Sequence, residues 1–194
     1  MVMKSTVSGI TAEPMEMKMN MYFADSGRQT AMIMENDMTK GMDMKMITNF
    51  QDSTMVLLMD MGGMKKGSCM KMADAQKLTK NKEVPNFASD WAKYKKSGNT
   101  KTIMGHICEE CVFEDEKIKQ VFWITQDLAE WSDMFTRGYQ GFNDGKSALP
   151  AGMKGTWLGF EQIMKEDNQI VIGEMVELNI NKKFNISTEG YDFD

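Results

Sequence analysis

The chain has 194 residues, 42% of them hydrophobic, with 23 basic and 28 acidic side chains and a formal charge of −5. This length and composition predict one globular domain over residues 1–194 and argue against a disordered or fibrous chain. An acidic chain whose only arginines are Arg28 and Arg137 lacks the basic surface that nucleic-acid phosphates require. We therefore expect no nucleic-acid partner.

Strand-like alternation of apolar and polar residues is predicted from close to the N-terminus. No run of about 20 apolar residues occurs, so no membrane-spanning helix is predicted. The first ten residues have no apolar signal core, and alternation begins directly after them. We interpret the chain as a mature region from which a signal peptide has been removed.

The N-terminal third is predicted to be an antiparallel meander, and its main feature is methionine. Of 23 methionines, 18 lie in the first 72 residues. In residues 15–23 apolar and mostly polar residues alternate, so every methionine lies on one strand face. Runs of the same kind follow at residues 29–35, 42–46 and 54–61, separated by turn residues.

The rest of the chain predicts two hairpins and two helices. The predicted elements are a loop at 65–85, a helix from Asn86 that ends at residues 97–99, a hairpin of 102–114 and 117–125, a helix at 126–137, a loop at 138–155, a hairpin of 156–165 and 169–181, and an extended tail at 184–193. About eight strands and two helices dominated by hairpins predict an α+β fold. In this fold a strongly curved antiparallel sheet has helices packed on its concave face.

The repeated Met-x-Met pattern has three interpretations. It is the buried face of half-buried strands, or a soft thioether site for Cu(I) or Ag(I), or the lining of a concavity for an elongated apolar ligand. The core interpretation is the plainest, because metal-binding methionine runs are usually accompanied by histidine and His106 is the only histidine here.

The cysteines do not predict a disulfide framework or a zinc site. Cys69, Cys108 and Cys111 are an odd number, so they do not identify the compartment. Residues three apart in a strand point to opposite faces and lie about 10 Å apart, so we expect Cys108 and Cys111 not to be bonded to each other. Zinc would need ligands from distant segments, and we predict no metal site.

Nothing in the sequence predicts catalysis. There is no Gly-x-Ser-x-Gly nucleophile turn and no glycine-rich phosphate loop that opens a helix. We therefore predict no catalytic residue, no cofactor and no enzymatic activity.

Several segments together resemble a known family. They are residues 2–9, the run from Tyr22 to Arg28, residues 54–60, residues 104–113 and the run Phe122 to Thr125. Over residues 2–180 the chain resembles domain-of-unknown-function family 4412. The resemblance implies a bacterial envelope protein, usually made with a signal peptide, and a fold similar to the lipoprotein carriers LolA and LppX. That fold is a half-barrel closed by helices over an apolar concavity, and the family has no established catalytic residues.

Two features depart from the family pattern. Cys108 matches a cysteine common in the family, whereas Cys111 and the long loop at 138–155 are additions.

These observations predict a non-enzymatic protein of the periplasm or outer-membrane surface. It would bind a lipid-like or other apolar ligand, or a lipidated partner, and would contact the membrane surface or a lipoprotein. Soft-metal binding and a ligand-free structural or interaction module remain alternatives, and the oligomeric state is open. The predicted lining of the apolar concavity is Met17, Met19, Met21, Met32, Met34, Met44, Met46, Met55, Leu57, Met59 and Trp123.

Overall fold

The computed structural model describes residues 1–9, 13–24, 28–36, 41–74, 91–132, 154–179 and 184–193. In this part of the chain, twelve strands form one sheet. The strands are β1 (Val2–Ser8), β2 (Met15–Ala24), β3 (Gln29–Asn36), β4 (Met42–Asn49), β5 (Thr54–Met61), β6 (Met64–Lys71), β7 (Lys95–Ile103), β8 (His106–Glu114), β9 (Ile118–Thr125), β10 (Thr156–Met164), β11 (Gln169–Glu177) and β12 (Asp192–Phe193).

The sheet consists of two meanders joined at β1. Its strand order is β12-β6-β5-β4-β3-β2-β1-β11-β10-β9-β8-β7, and all neighbours are antiparallel except the pair β12 and β6. Short turns explain the meanders. At the β5–β6 turn, for example, Gly62 and Gly63 have positive φ angles of 64° and 98°, and the Asp60 carboxylate accepts a hydrogen bond of 2.8 Å from the Gly63 amide.

Strand alternation divides the sheet into two faces. We call the face that carries Met19, Met34, Met44 and Met59 the methionine face, and the other the reverse face. Register pairing connects these four methionines directly from strand to strand. Side chains at alternate positions therefore share a face, except where the register shifts between Val2 and Met3, between Lys96 and Thr100 and between Trp157 and Gly159.

An aromatic core continues the methionine face over β8 to β10. Phe122 packs against Tyr94 and Trp157, with ring centroids 5.6 and 6.4 Å apart, and Trp157 meets the Phe160 ring edge-on at 5.8 Å. The Tyr94 hydroxyl donates a buried hydrogen bond of 2.6 Å to Oε1 of the Gln120 side-chain amide. This satisfied polar contact fixes the position of the aromatic side chains.

The reverse face of β2 to β6 is crossed by residues 184–193, which we call the strap. The Phe184 ring stacks on the Tyr22 ring with the ring centroids 3.4 Å apart, and Asp192–Phe193 pair with β6. Leu58 on this face is fully buried. Asn20, which alternation places on the solvent side of β2, is also buried and donates a hydrogen bond of 2.9 Å to Glu35.

The prediction of an α+β fold with helices packed on the concave face is wrong. The fold is one open curved sheet, and its described residues contain no helix of seven or more residues. Where the two predicted helices are described, they are the 3-10 turns Trp91–Lys93 and Ala129–Trp131. The apolar spacing includes Tyr94, which follows the first turn and is buried, and Trp131, which packs against the core from the second turn. Lys95 and Lys96 of the first predicted helix belong to β7, and residues 86–90 and 133–137 lie outside the described residues.

Two other expectations about elements are corrected. The predicted strand 102–114 is divided by a turn at Met104 and Gly105, both with positive φ, into β7 and β8. The predicted loop at 65–85 begins instead with β6, which pairs along its whole length with β5. The meander β2 to β5 and the hairpins β8–β9 and β10–β11 are confirmed. The described residues contain no helix with the length and apolarity needed to cross a membrane.

Candidate functional site

The methionine face carries a row of six methionines across six consecutive strands. Each member pairs directly with the next in the register of the sheet. The row is Met175, Met3, Met19, Met34, Met44 and Met59. With strands about 4.8 Å apart, its five spacings extend over about 24 Å.

A second row runs parallel to the first, one pleat further along the strands. Met21, Met32, Met46 and Leu57 pair in order across β2 to β5. Directly opposite side chains in a sheet have Cβ atoms about 4.5–5.5 Å apart, so the two rows form a continuous thioether surface.

Burial along this surface decreases toward the β6 edge. Met3 and Met175 are 1% exposed, whereas Met61 is 42% and Met64 is 60% exposed. Met19, Met34, Met44 and Met59, between these extremes, are half-buried. The surface is therefore anchored in the core at one end and accessible at the other.

Charges near this surface lie on the reverse face or at the rim. On the reverse face of β2 and β3, Lys18 forms an ion pair of 3.2 Å with Glu35. The first row meets a charged residue only at β6, where Lys66 pairs with Met59 in the register. The interior of the methionine face is thus uncharged from β1 to β5.

All predicted lining residues except Trp123 lie on this face. Trp123 is on the reverse face, where it pairs with Gly159 and Glu110, and the Lys101 ammonium lies 5.8 Å from its ring centroid. The prediction also missed Met3 and Met175, which extend the first row into the core. Met3 could have been found, because Met3, Ser5 and Val7 alternate in the same way as the methionines of β2.

A cavity of about 790 Å³ lies elsewhere, beside the reverse face of β2 to β4 and the start of the strap. Its lining includes Asn20, Tyr22, Ile47, Phe184 and Ile186. Among the predicted lining residues only Met21 contributes to it. This cavity and the methionine face are therefore different candidate surfaces.

The thiols and the histidine form no metal site in the described part of the chain. Cys108 and Cys111 are free and lie on opposite faces of β8, which confirms the expectation that they are not bonded to each other. Burial raises the pKa of both thiols. His106 Nδ1 lies 3.2 Å from Asp127 Oδ2, and no group of three or more His, Cys, Asp or Glu residues is placed to hold a metal ion among the described residues.

These features define an open, curved sheet, antiparallel except at its β12–β6 edge, whose methionine face carries no charged residue in the described strands β1 to β5. The chain belongs to the domain of unknown function family DUF4412, whose model matches residues 1–185. This confirms the resemblance to that family. Comparison with curated proteins gives no match to the sequence.

Three solved structures are similar at a distance. PNGF-II has a TM-score of 0.39 and 11% identity over 99% of this chain, which spans only 30% of PNGF-II. A DUF1329 family protein from Desulfovibrio piger has a TM-score of 0.35 and 10% identity, covering 93% of this chain and 85% of that protein. A putative outer membrane lipoprotein-sorting protein domain from Vibrio parahaemolyticus has a TM-score of 0.38 and 10% identity, covering 95% and 85%.

Proposed function

We propose that the protein binds an elongated apolar ligand on its methionine face, as a non-enzymatic component of the bacterial envelope. The ligand class is an acyl chain, either of a free lipid or of a lipidated partner. The observation that supports this proposal most directly is the row of six directly paired methionines, uncharged from Met175 to Met59. The envelope location follows from the family resemblance and is part of the proposal.

The dimensions of the row suit an acyl chain. One acyl chain spans about half of the roughly 30 Å hydrocarbon core of a bilayer, or about 15 Å. The half-buried part of the row, from Met19 to Met59, has three strand spacings and extends over about 14 Å, so one chain can lie along it from the core to the accessible edge. Half-buried Met34, Met44 and Met59 still have apolar surface to bury against such a ligand.

Methionine also suits a ligand whose shape varies. Its unbranched, polarizable side chain adapts to irregular surfaces, whereas leucine and valine impose one shape. A surface of methionines therefore accepts acyl chains of different length or saturation. Specificity for a head group would depend on residues at the rim.

A fluorescent acyl probe tests the proposal. We expect the probe to bind with a negative heat-capacity change, and the double variant Met44→Leu with Met59→Leu to bind almost as well, because size and apolarity are conserved. Met44→Lys should abolish binding by placing a charge in the row. Lys45→Met is the matched control, since Lys45 lies on the reverse face of the same strand and its replacement should leave binding unchanged. Equal loss in Met44→Lys and Lys45→Met, or no uptake by the wild-type chain, would refute the proposal.

One observation favours a second candidate, Cu(I) binding. Thioethers from Met34, Met44 and Met59 are direct neighbours on three strands, and thioether sulfur is a soft ligand. The Leu double variant separates the two functions, because leucine keeps the apolar surface and offers no lone pair. Tight Cu(I) binding that is lost in this variant, without acyl-probe uptake, would favour the metal. Native mass spectrometry of freshly purified protein would distinguish a retained lipid from copper by mass.

A further inference from the structure

The cavity of about 790 Å³ beside the reverse face lies over a short side chain between two larger ones. Tyr22, Ala31 and Ile47 pair in order across β2, β3 and β4, and all three line the cavity. Ala31 is buried, and a larger side chain at this position would occupy part of the space. The strap also borders the cavity, where Phe184 stacks on Tyr22 and Ile186 contributes to the lining. Cavities of about 300–1,000 Å³ are typical of small-molecule sites.

The polar part of the lining consists mainly of uncharged carboxamides, which are Asn20, Gln29, Asn179 and Asn185. An acyl chain would cover these amides without bonding to them, which costs free energy for every polar group that loses water. The charged side chains of the lining are Lys18 and Glu177, of opposite sign, and Lys18 is paired with Glu35 at 3.2 Å. The cavity therefore lacks the cluster of basic side chains with which proteins hold anions.

Asn20 has unused hydrogen-bonding capacity at this cavity. The residue is 9% exposed, lines the cavity, and donates a hydrogen bond of 2.9 Å from Nδ2 to Glu35. A carboxamide has two N–H donors and a carbonyl oxygen that accepts. Among the described residues no other side-chain hydrogen bond is made by Asn20, so one donor and the acceptor are left for a ligand. The bond to Glu35 holds the amide in place before a ligand binds.

The two aromatic rings at the cavity leave no slot between them for a flat aromatic ligand. The Tyr22 and Phe184 rings have their centroids 3.4 Å apart and their planes at 8°, so they stack directly on each other. A ligand in the cavity therefore meets their exposed surfaces together with the aliphatic side chain of Ile47. A saturated ring that carries both C–H groups and hydroxyl groups matches apolar side chains that lie beside carboxamides.

We propose that this cavity binds a small neutral saccharide. The C–H groups of the sugar ring would pack on Tyr22 and Ile47, and its hydroxyl or acetamido groups would bond to Asn20 and Gln29. A hydroxyl group both donates and accepts, as a carboxamide does, so the two kinds of group pair without any net charge. This site is on the other side of the sheet from the row of methionines, and the proposal is independent of acyl binding there.

Two neutral disaccharides, cellobiose and N,N′-diacetylchitobiose, are the probes for this site. Titration of the full chain by calorimetry, with saturation-transfer difference NMR, should show binding of at least one of them. Gln29→Ala removes an exposed carboxamide of the lining and should weaken this binding about two- to tenfold. Gln51→Ala is the matched control, because Gln51 is also an exposed carboxamide but lies in the β4–β5 turn outside the lining, and it should leave the affinity unchanged.

A second pair of variants tests the cavity itself. Ala31→Leu fills the space between Tyr22 and Ile47 and should abolish disaccharide binding, whereas Val56→Leu, in the same row of the reverse face but outside the lining, should leave it unchanged. The thermal midpoint of each variant shows that the chain is folded. Wild-type affinity in a folded Ala31→Leu chain would overturn the proposal.

Further outcomes separate this site from the methionine face. Met44→Lys should leave disaccharide binding unchanged, because Met44 lies on the other face of the sheet. Displacement of the bound disaccharide by an acyl probe would assign the cavity to the acyl ligand and overturn the saccharide. Binding of neither disaccharide, or equal affinities of the Gln29→Ala and Gln51→Ala chains, would overturn the proposal as well.

Discussion

Substitution of Gly173 by alanine tests how tightly the aromatic core is packed on the methionine face. Gly173 pairs with Phe160, whose ring lies over it. A Cβ at position 173 would be 2.3 Å from Phe160 Cε1, about 1.1 Å closer than the 3.4 Å at which ordinary contact begins. The ring would have to leave its present position, in which it meets Trp157 edge-on with ring centroids 5.8 Å apart.

The magnitude follows from overpacking. An extra methyl group in a packed core costs about 1–3 kcal/mol, and the smaller entropy of an unfolded chain with alanine returns about 0.4–1 kcal/mol. A net loss of about 1–2 kcal/mol should lower the thermal midpoint by about 2–8 °C for a chain of this size. Differential scanning calorimetry or urea denaturation measures this difference.

A double-mutant cycle makes the prediction specific to the Phe160 ring. Phe160→Ala removes the ring, so Gly173→Ala should then cost nothing or stabilise slightly. The expected coupling free energy between positions 173 and 160 is therefore about as large as the loss of stability caused by Gly173→Ala alone. Additive effects of the two substitutions, or a wild-type midpoint for Gly173→Ala alone, would refute this account of the packing.

Two further predictions concern strand alternation and thiol reactivity. Met19→Lys places an unpaired charge between Met3 and Met34 against the core, and it should lower the free energy of unfolding by about 2 kcal/mol or more. Lys18→Met removes only a surface ion pair and should cost less than about 1 kcal/mol. Equal urea midpoints for the two variants would contradict the register of β2. Native protein should alkylate rapidly at exposed Cys69 alone, because burial shields Cys108 and Cys111 and raises their pKa, which leaves little thiolate at neutral pH. Mass spectrometry of iodoacetamide-treated protein counts the modified thiols, and rapid modification of either buried cysteine before unfolding would contradict their placement.

Alternation within single strands was predictable from the sequence. The side chain of each residue in an extended strand points opposite to that of its neighbour, so Met15 to Met21 share one face whatever the rest of the chain does. The same local rule predicted that Cys108 and Cys111 lie on opposite faces. Polar turn residues such as Asp115, which accepts hydrogen bonds from the amides of Lys117 and Ile118, also predicted the β8–β9 hairpin.

The face on which Trp123 lies could not be read from its own strand. In β9 both Phe122 and Trp123 are large and apolar, so alternation alone does not decide which of them faces the methionines. The pairing of Phe122 with Phe160 decides it, and Trp123 then lies on the reverse face. Alternation does assign Asn20 to the polar face of β2, but it cannot show that this face is covered: Asn20 is buried beside the reverse-face cavity that the strap helps to line.

The sequence by itself therefore determined the alternating strands of the methionine meander, the two hairpins and the separation of the two cysteines. Tertiary structure alone decided the sheet order, the six-strand methionine row and the protection of the β6 edge. The row depends on the pairing of β1 with β11, which joins Met3 to Met175, and the β6 edge depends on Lys66 meeting Asp192, 126 positions away. Side-chain alternation is determined by adjacent residues of one strand. Which methionines line up across the sheet, and which strand lies at its edge, depend on which distant strands pair.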